Sequence, residues 1–313
     1  MGLKNDIDVS ISTINWNVSD KLISCIDSFL DTYDNLNYEW FIIDNISQDM
    51  DFDEIINRYS KYERIHFIKN DKNEGLAVLN KLLNKVQGRY WLFLDPDTLQ
   101  KGKSITELIK FMDSTPEAGM ASAIQLNVDG SPLLYYGRRF TLAKIFYTLT
   151  FIGKIIDHYL FSDKMHKYYY FENYDTSFLS QIDQVGFACT IERMELIQED
   201  GYVIDPDLAF FFNDVDLCKR AWDKGYKIYL VPTAKIIHDW DSAYKKANSR
   251  WKETESSKCL IKYFKKHHRF KSKLLKILIL SYTLISILLN INTVEEKWTR
   301  KEKIELFKKM LKW

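Results

Sequence analysis

Asp95 and Asp97 flank Pro96 directly after the apolar run Tyr90–Leu94. Two acids so placed at a strand end belong to a turn, and the proline stiffens it. Hard cations such as Mg²⁺ and Mn²⁺ take oxygen ligands and bridge carboxylates to phosphates. Aspartate is also common in turns for conformational reasons, so the pair reads as a cation site or as an ordinary loop. A second acidic group, Asn213-Asp214-Val215-Asp216, follows the aromatic run Phe210–Phe212. An acid against such a run is partly desolvated, which raises its pKa toward that of a general base. The alternative is a helix cap: Asn213 or Asp214 precedes a helix expected over Val215–Trp222. His238, after Ile236 and Ile237, reads as a metal ligand or as a structural histidine.

The elements that position these groups are legible in the hydrophobic period. Val9–Asn15, Trp40–Asp44, Ile65–Ile68, Tyr90–Leu94 and Gly119–Ile124 read as strands. Asp20–Tyr33, Asp53–Tyr59, Leu76–Val86 and Ser104–Met112 carry helical spacing. Such alternation predicts an α/β fold with a parallel sheet covered on both faces. Ligands then bind beyond the carboxyl ends of the strands. Three of these strands end in Asn15, Asp44 and Asp95, so polar groups collect on one edge. Residues 133–180 break the pattern with an aromatic segment that reads as an insertion of one or two helices, packed as core or forming an acceptor- or membrane-contacting flap. Gln184–Glu192, Ala209–Arg220 and Lys227–Pro232 return to α/β character. The expected division is a catalytic domain over 1–242 and a basic helical region over 243–313.

Several short motifs occur in order: Thr13-Ile14-Asn15, Ile43-Asp44-Asn45, Asn73-Glu74-Gly75 through Asn80, Asp95-Pro96-Asp97, Gly186-Phe187-Ala188, Asn213-Asp214-Val215-Asp216, Gly225-Tyr226 and Ile237-His238. Each is loose alone; in this order and spacing the chain resembles glycosyltransferase family 2, from about Val9 to Arg269. Within it the chain looks most like the bacterial rhamnosyltransferase-like branch. The resemblance implies a GT-A fold, a Rossmann-like mixed sheet flanked by helices, and an inverting, metal-dependent transfer. It implies that Thr13, Asn15 and Asp44 hold the nucleobase and ribose, with Asn73, Gly75 and Asn80 near the nucleotide. Asp97 would bind Mg²⁺ or Mn²⁺ with Asp95 beside it, His238 would be a further metal or diphosphate contact, and Asp214 would be the catalytic base. Two positions depart from the family pattern. Asn213 stands where a glutamate is usual, and Asp95 where the branch often has asparagine. The implied donor is dTDP-rhamnose, or a UDP sugar such as UDP-galactofuranose or UDP-glucose, and the implied acceptor is a bacterial surface polysaccharide on a lipid carrier.

Composition supports a folded, globular chain. Hydrophobic residues make up 46% of the 313, enough for a large core. The net charge of +1 conceals an asymmetry: residues 1–234 sum to −11 and residues 235–313 to +12. A basic tail on an acidic body predicts an anionic partner for the tail. Ile277–Val294 holds no charged residue, yet polar side chains recur at helical spacing. That pattern fits a helix lying on a membrane through 270–294, a helix packed on protein or a homodimer partner, or a short span. Cys25, Cys189, Cys218 and Cys259 are widely spaced, so a zinc site or disulfide framework is not expected, and reduced thiols suit a cytoplasmic enzyme on the inner face of the membrane. A nucleotidyltransferase would need a glycine-rich phosphate loop after the first strand, and Val9–Val18 contains no glycine. Nucleic-acid binding by Lys262–Lys273 would leave the strand-end acids unexplained. An inactive scaffold remains the alternative raised by Asn213.

Overall fold

A computed structural model describes residues 7–33, 35–171, 175–239, 248–289 and 298–313. Strands Val9–Asn15 (β1), Tyr38–Asp44 (β2), Ile65–Lys69 (β3) and Tyr90–Leu94 (β4) run parallel in the order β3-β2-β1-β4. β2 and β4 are buried along their whole length, which is why they read as unbroken apolar runs. Helices Ser19–Thr32 (α1) and Phe52–Tyr59 (α2) cover one face. Leu22, Cys25, Ile26 and Phe29 form the inward stripe of α1, packed on Ile11, Trp40 and Leu92. The Asp51 side chain caps α2 by accepting from the Asp53 N–H, worth about 1 kcal/mol.

The second half follows as strand Thr98–Lys101 (β5), helix Ser104–Ser114 (α3) and strands Ala118–Leu126 (β6) and Tyr136–Gly137 (β7). Helices Leu142–Leu149 (α4), Phe151–Phe161 (α5) and Lys164–Tyr170 (α6) come next, then strands Ser180–Ile182 (β8), Gln184–Val185 (β9) and Cys189–Arg193 (β10). Helices Met194–Gln198 (α7) and Asn213–Asp223 (α8), and the long strand Lys227–His238 (β11), complete the sheet region. The full order is β3-β2-β1-β4-β10-β6-β11-β5, with β8 also on β11.

This sheet is mixed, as the family resemblance implies; the strand–helix alternation read from the sequence captured only its parallel part. β10 enters antiparallel between β4 and β6, which would otherwise be neighbours. Its partners are remote in sequence, so local period could not reveal them. The expected helix over Leu76–Val86 is instead a 3-10 segment, Gly75–Leu82. Its bonds are drawn outward: Leu76 N–H donates to Ala209 O at 2.8 Å, and the Asn80 amide bonds the backbone at Val203 and Ile204. The aromatic insertion carries three helices, not one or two.

Beyond β11 lie helices Ser249–His267 (α9), Arg269–Leu288 (α10) and Arg300–Lys312 (α11). Cys259, Leu260, Tyr263, Phe264 and Leu275 share one core with Ile145 of α4, Leu208 and Val215 of α8. The basic region is thus packed against the insertion and α8. The expected boundary at 242–243 and residues 290–294 lie outside the described residues. Among the described residues no helix is long and apolar enough to cross a membrane.

Candidate active site

Strand pairing brings the metal-ligand candidates together. β5 and β11 align so that Thr98 faces His238, and Asp239 N–H donates to Asp97 O at 2.9 Å. His238 Nε2 lies 3.2 Å from Asp97 Oδ1 and 4.0 Å from Asp95 Oδ2. One ligand atom from each of Asp95, Asp97 and His238 fits within a 4.8 Å cluster. His238 Nδ1 donates to Gln125 Oε1 at 2.8 Å, which directs Nε2 at the carboxylates. The Asp95–Thr98 turn is closed from within, because the Thr98 hydroxyl donates to Asp95 O at 2.8 Å. Burial and the Asp97 charge push Asp95 above its ordinary range. Burial opposes the charged form of His238, but the Asp97 bond and the nearby acids outweigh it and raise its pKa. Two crowded carboxylates and an imidazole are an oxygen-and-nitrogen donor set suited to a hard or borderline divalent cation, which would relieve their repulsion.

A second group sits at the ends of β1 and β2. Asn15 Nδ2 donates to Asp44 Oδ1 at 2.9 Å and to Ser47 Oγ at 3.0 Å, and Asp44 Oδ2 accepts from Ser47 N–H at 3.0 Å. Asn15 is fully buried, and its Oδ1 is a buried acceptor without a protein donor. Thr13 lies beneath this group, its hydroxyl held between Leu94 O and the Trp40 indole. Asn45 links the neighbouring loop, donating to Asn73 Oδ1 and Gly75 O, both at 3.1 Å. Gly75 has φ +55°, and a Cβ there would stand 2.5 Å from Ala209 O. Asn80 faces the 203–204 loop, with both ends of its amide engaged by backbone.

Asp214 occupies the first turn of α8. Phe212, at φ 63°, holds the cap position, so the cap falls one residue before Asn213 and two before Asp214, the positions expected for it. A Cβ built on Gly186 would lie 3.9 Å from Asp214 Oδ2. Gly186 and Ala188 belong to the segment entering β10, and Ala188 O accepts from Asp95 N–H at 2.9 Å. The antiparallel strand missed by the sequence reading is therefore what carries the Asp95 turn and Asp214 toward one another. Burial pushes Asp214 to about 6, partly offset by the N–H of Val215 and by Lys144. A carboxylate tuned there accepts a proton near neutral pH.

Sequence reasoning assigned no role to Gln125, Asn45 or Ser47. Gln125 carried a signal, as the polar residue near the end of the otherwise small and apolar strand β6. Ser47 carried none, since serine after a strand is ordinary turn chemistry.

The sequence model of glycosyl transferase family 2 matches residues 10–193, more than half of the chain. The chain belongs to glycosyl transferase family 2. The family match covers Asn15, Asp44, Gly75 and the Asp95–Asp97 turn but ends before Asp214 and His238, whose place in the site rests on geometry. The teichuronic acid biosynthesis glycosyltransferase TuaG of Bacillus subtilis (strain 168) is 35% identical over 128 residues, covering 40% of this chain and 50% of that protein. The match thus spans half the length of that relative. Among solved structures, GalNAc-T7 with UDP, GalNAc and Mn²⁺ superposes with a TM-score of 0.62 at 15% identity, over 97% of this chain and 55% of that one. A mannosyltransferase of Pyrobaculum calidifontis with GDP-Man and Mn²⁺ gives 0.54 at 14% identity, over 83% and 64%. TarS of S. aureus gives 0.52 at 14% identity, over 97% and 43%. At these identities the likeness is one of fold, and these neighbours are GT-A glycosyltransferases.

Proposed function

We propose that the chain is an inverting glycosyltransferase that moves a sugar from a nucleoside diphosphate sugar to an acceptor hydroxyl. The observation that carries this reading is the convergence of the Asp95, Asp97, His238 cluster and the tuned Asp214 on the segment entering β10. Asp97, Asp95 and His238 would hold Mg²⁺ or Mn²⁺, which when bound neutralises charge on the departing diphosphate. Two structural neighbours hold Mn²⁺ with UDP or GDP-Man, which supports that assignment. Asp44 and the acceptor Oδ1 of Asn15 offer hydrogen-bond partners to ribose and nucleobase. Thr13 and Asn45 fix the strand ends that carry them, and Asn73, Gly75 and Asn80 shape the adjoining loop. Asp214 takes the proton of the acceptor hydroxyl as its oxygen attacks the anomeric carbon.

Within the donor class, the rhamnosyltransferase-like resemblance points to dTDP-rhamnose. The neighbour that holds UDP supports a UDP sugar as the second reading. The acceptor reading is a lipid-linked surface polysaccharide, supported by the relative named for teichuronic acid biosynthesis. The enzyme would then work on the inner face of the bacterial membrane. An exposed stripe on α10 supports that placement: Phe270, Leu274, Ile277, Leu284 and Leu288 recur at steps of four, three, seven and four residues, among Arg269, Lys271 and Lys273.

The deciding experiment is thermal unfolding with a panel of nucleoside diphosphates, with and without Mn²⁺ or Mg²⁺. A metal-dependent rise in Tm with dTDP or UDP is expected and names the donor nucleotide. No rise with any nucleotide in a folded protein would sink the reading.

A further inference from the structure

Lys144 lies on the inward face of α4 and is fully buried. Its Nζ donates to Arg138 O at 2.8 Å and stands over the rings of Phe140 at 4.5 Å and Tyr170 at 5.0 Å. Gly137 makes room for it, since a Cβ there would be 3.1 Å from Nζ. Among the described residues no carboxylate pairs with this ammonium at contact distance. An ammonium so enclosed, with a carbonyl and two rings for company, costs the fold free energy that a contact carboxylate would offset.

The β7–β9 ribbon shows what that field reaches. Gly137 pairs with Gln184, and Gly186 N–H donates to Tyr135 O, so the ladder continues one residue past each strand. Gln184 and Gly186 are two residues apart and share a face of the ribbon. A Cβ on Gly137 would lie 3.1 Å from Lys144 Nζ, and one on Gly186 would lie 3.9 Å from Asp214 Oδ2. Ammonium and carboxylate therefore stand over one ribbon face, beside diagonal positions that are ~7 Å apart. The proposal rests on the reading of Asp214 as the base.

We propose that Lys144 is a positioning residue whose buried ammonium keeps the Asp214 carboxylate ionised for proton abstraction. Other charges face the pair. Asp95 repels Asp214 from the metal turn. Asp183 attracts Lys144, but is bonded by Arg139 N–H at 3.2 Å and lies 3.8 Å from Arg139 Nε. Arg138 is turned away, stacked over Tyr168 and Phe171. Burial lowers Lys144 to about 8, so it still carries its charge where Asp214 titrates.

The test pairs kinetics with a titration that does not need turnover. Lys144→Met should move the acid limb of kcat/KM upward by about 0.4 to 1.7 pH units, the Coulomb range for this separation between water-like and protein-like screening. Lys144→Arg should restore the limb, and nucleotide affinity should not change. In protein carrying ¹³C-labelled lysine, Asp214→Asn should lower the Lys144 midpoint by a similar amount, because the coupling is reciprocal. That titration decides the matter if Lys144→Met does not fold. An unmoved acid limb in folded Lys144→Met, or an unmoved Lys144 midpoint in Asp214→Asn, overturns the proposal. Coupled titration in a protein that transfers no sugar would overturn the base reading itself, and the proposal with it.

Discussion

Leu76 N–H and Asn213 Nδ2 share one acceptor, the carbonyl of Ala209, at 2.8 and 3.4 Å. The loop at the donor end of the sheet is thereby joined to the first turn of the helix that presents Asp214. Asn213 stands where the family usually has glutamate, and here its amide serves this joint.

Gly75 is the residue that permits the joint. Any side chain there meets both a left-handed backbone and the Ala209 carbonyl. Gly75→Ala should cost about 1–3 kcal/mol of stability. It should also raise KM for the donor more than it lowers kcat. Unfolding curves and initial rates check this; an unchanged midpoint and KM would show that the loop yields freely.

Asp214→Asn should lower kcat by about 10²–10⁴-fold while leaving metal-dependent nucleotide binding intact. It also has a stability signature. Asp214 titrates near 6 in the folded chain against an ordinary 3.8, so between those values the folded state binds more protons than the unfolded. Wild-type stability therefore falls as pH rises through that window. The asparagine variant should lack this loss and be more stable at neutral pH by about 1–3 kcal/mol. Urea unfolding at acidic and neutral pH gives the comparison.

Gln125→Met keeps the volume of a buried side chain but removes the acceptor that orients His238. Apparent affinity for Mn²⁺ in the presence of nucleotide should drop about 10–100-fold. Titration calorimetry measures it, and an unchanged affinity would mean that His238 is oriented by other contacts.

These residues divide by how local their information is. Asp95, Asp97 and Asp214 announce themselves because an acid after an apolar or aromatic run breaks a local pattern. The parallel half of the sheet was legible because its strands alternate with helices. β10 was not, because its direction is set by partners remote in sequence on β4 and β6. Lys144 was invisible for a similar reason: a lysine on an amphipathic helix ordinarily faces solvent, and its burial depends on Gly137 and on rings from two other segments.

Asp216, two residues after Asp214, is fully buried. It accepts from Arg220 Nε at 3.0 Å, Lys266 Nζ at 2.7 Å and His267 Nε2 at 2.6 Å, tying α8 to the end of α9. Burial opposes its charge, but these donors outweigh it and hold its pKa below the ordinary value. Its contribution is therefore present above the ordinary carboxylate range and is lost as pH falls through its depressed folded value. Asp216→Ala should destabilise by about 3–5 kcal/mol at neutral pH by removing the buried anion that Arg220, Lys266 and His267 share, although Arg220 keeps Asp200 and Lys266 keeps Asp205. The difference from wild type should shrink in acid, and a penalty independent of pH would assign it to packing alone.

The exposed stripe of α10 could serve a membrane or a second copy of the chain, and charge separates the two. α10 contains no acid, while Arg269, Lys271, Lys273 and Lys276 lie along it. Two such helices brought together would repel, whereas anionic lipid would attract both. Leu274→Glu and Ile277→Glu should each weaken binding to anionic vesicles by at least about tenfold, from lost apolar burial and added repulsion. Binding by the unmodified chain should fall as salt rises and be weak on neutral vesicles. Co-sedimentation measures this, and light scattering run alongside reports the competing state. A dimer that dissociates on Leu274→Glu, with no vesicle binding by the unmodified chain, would assign the stripe to self-association.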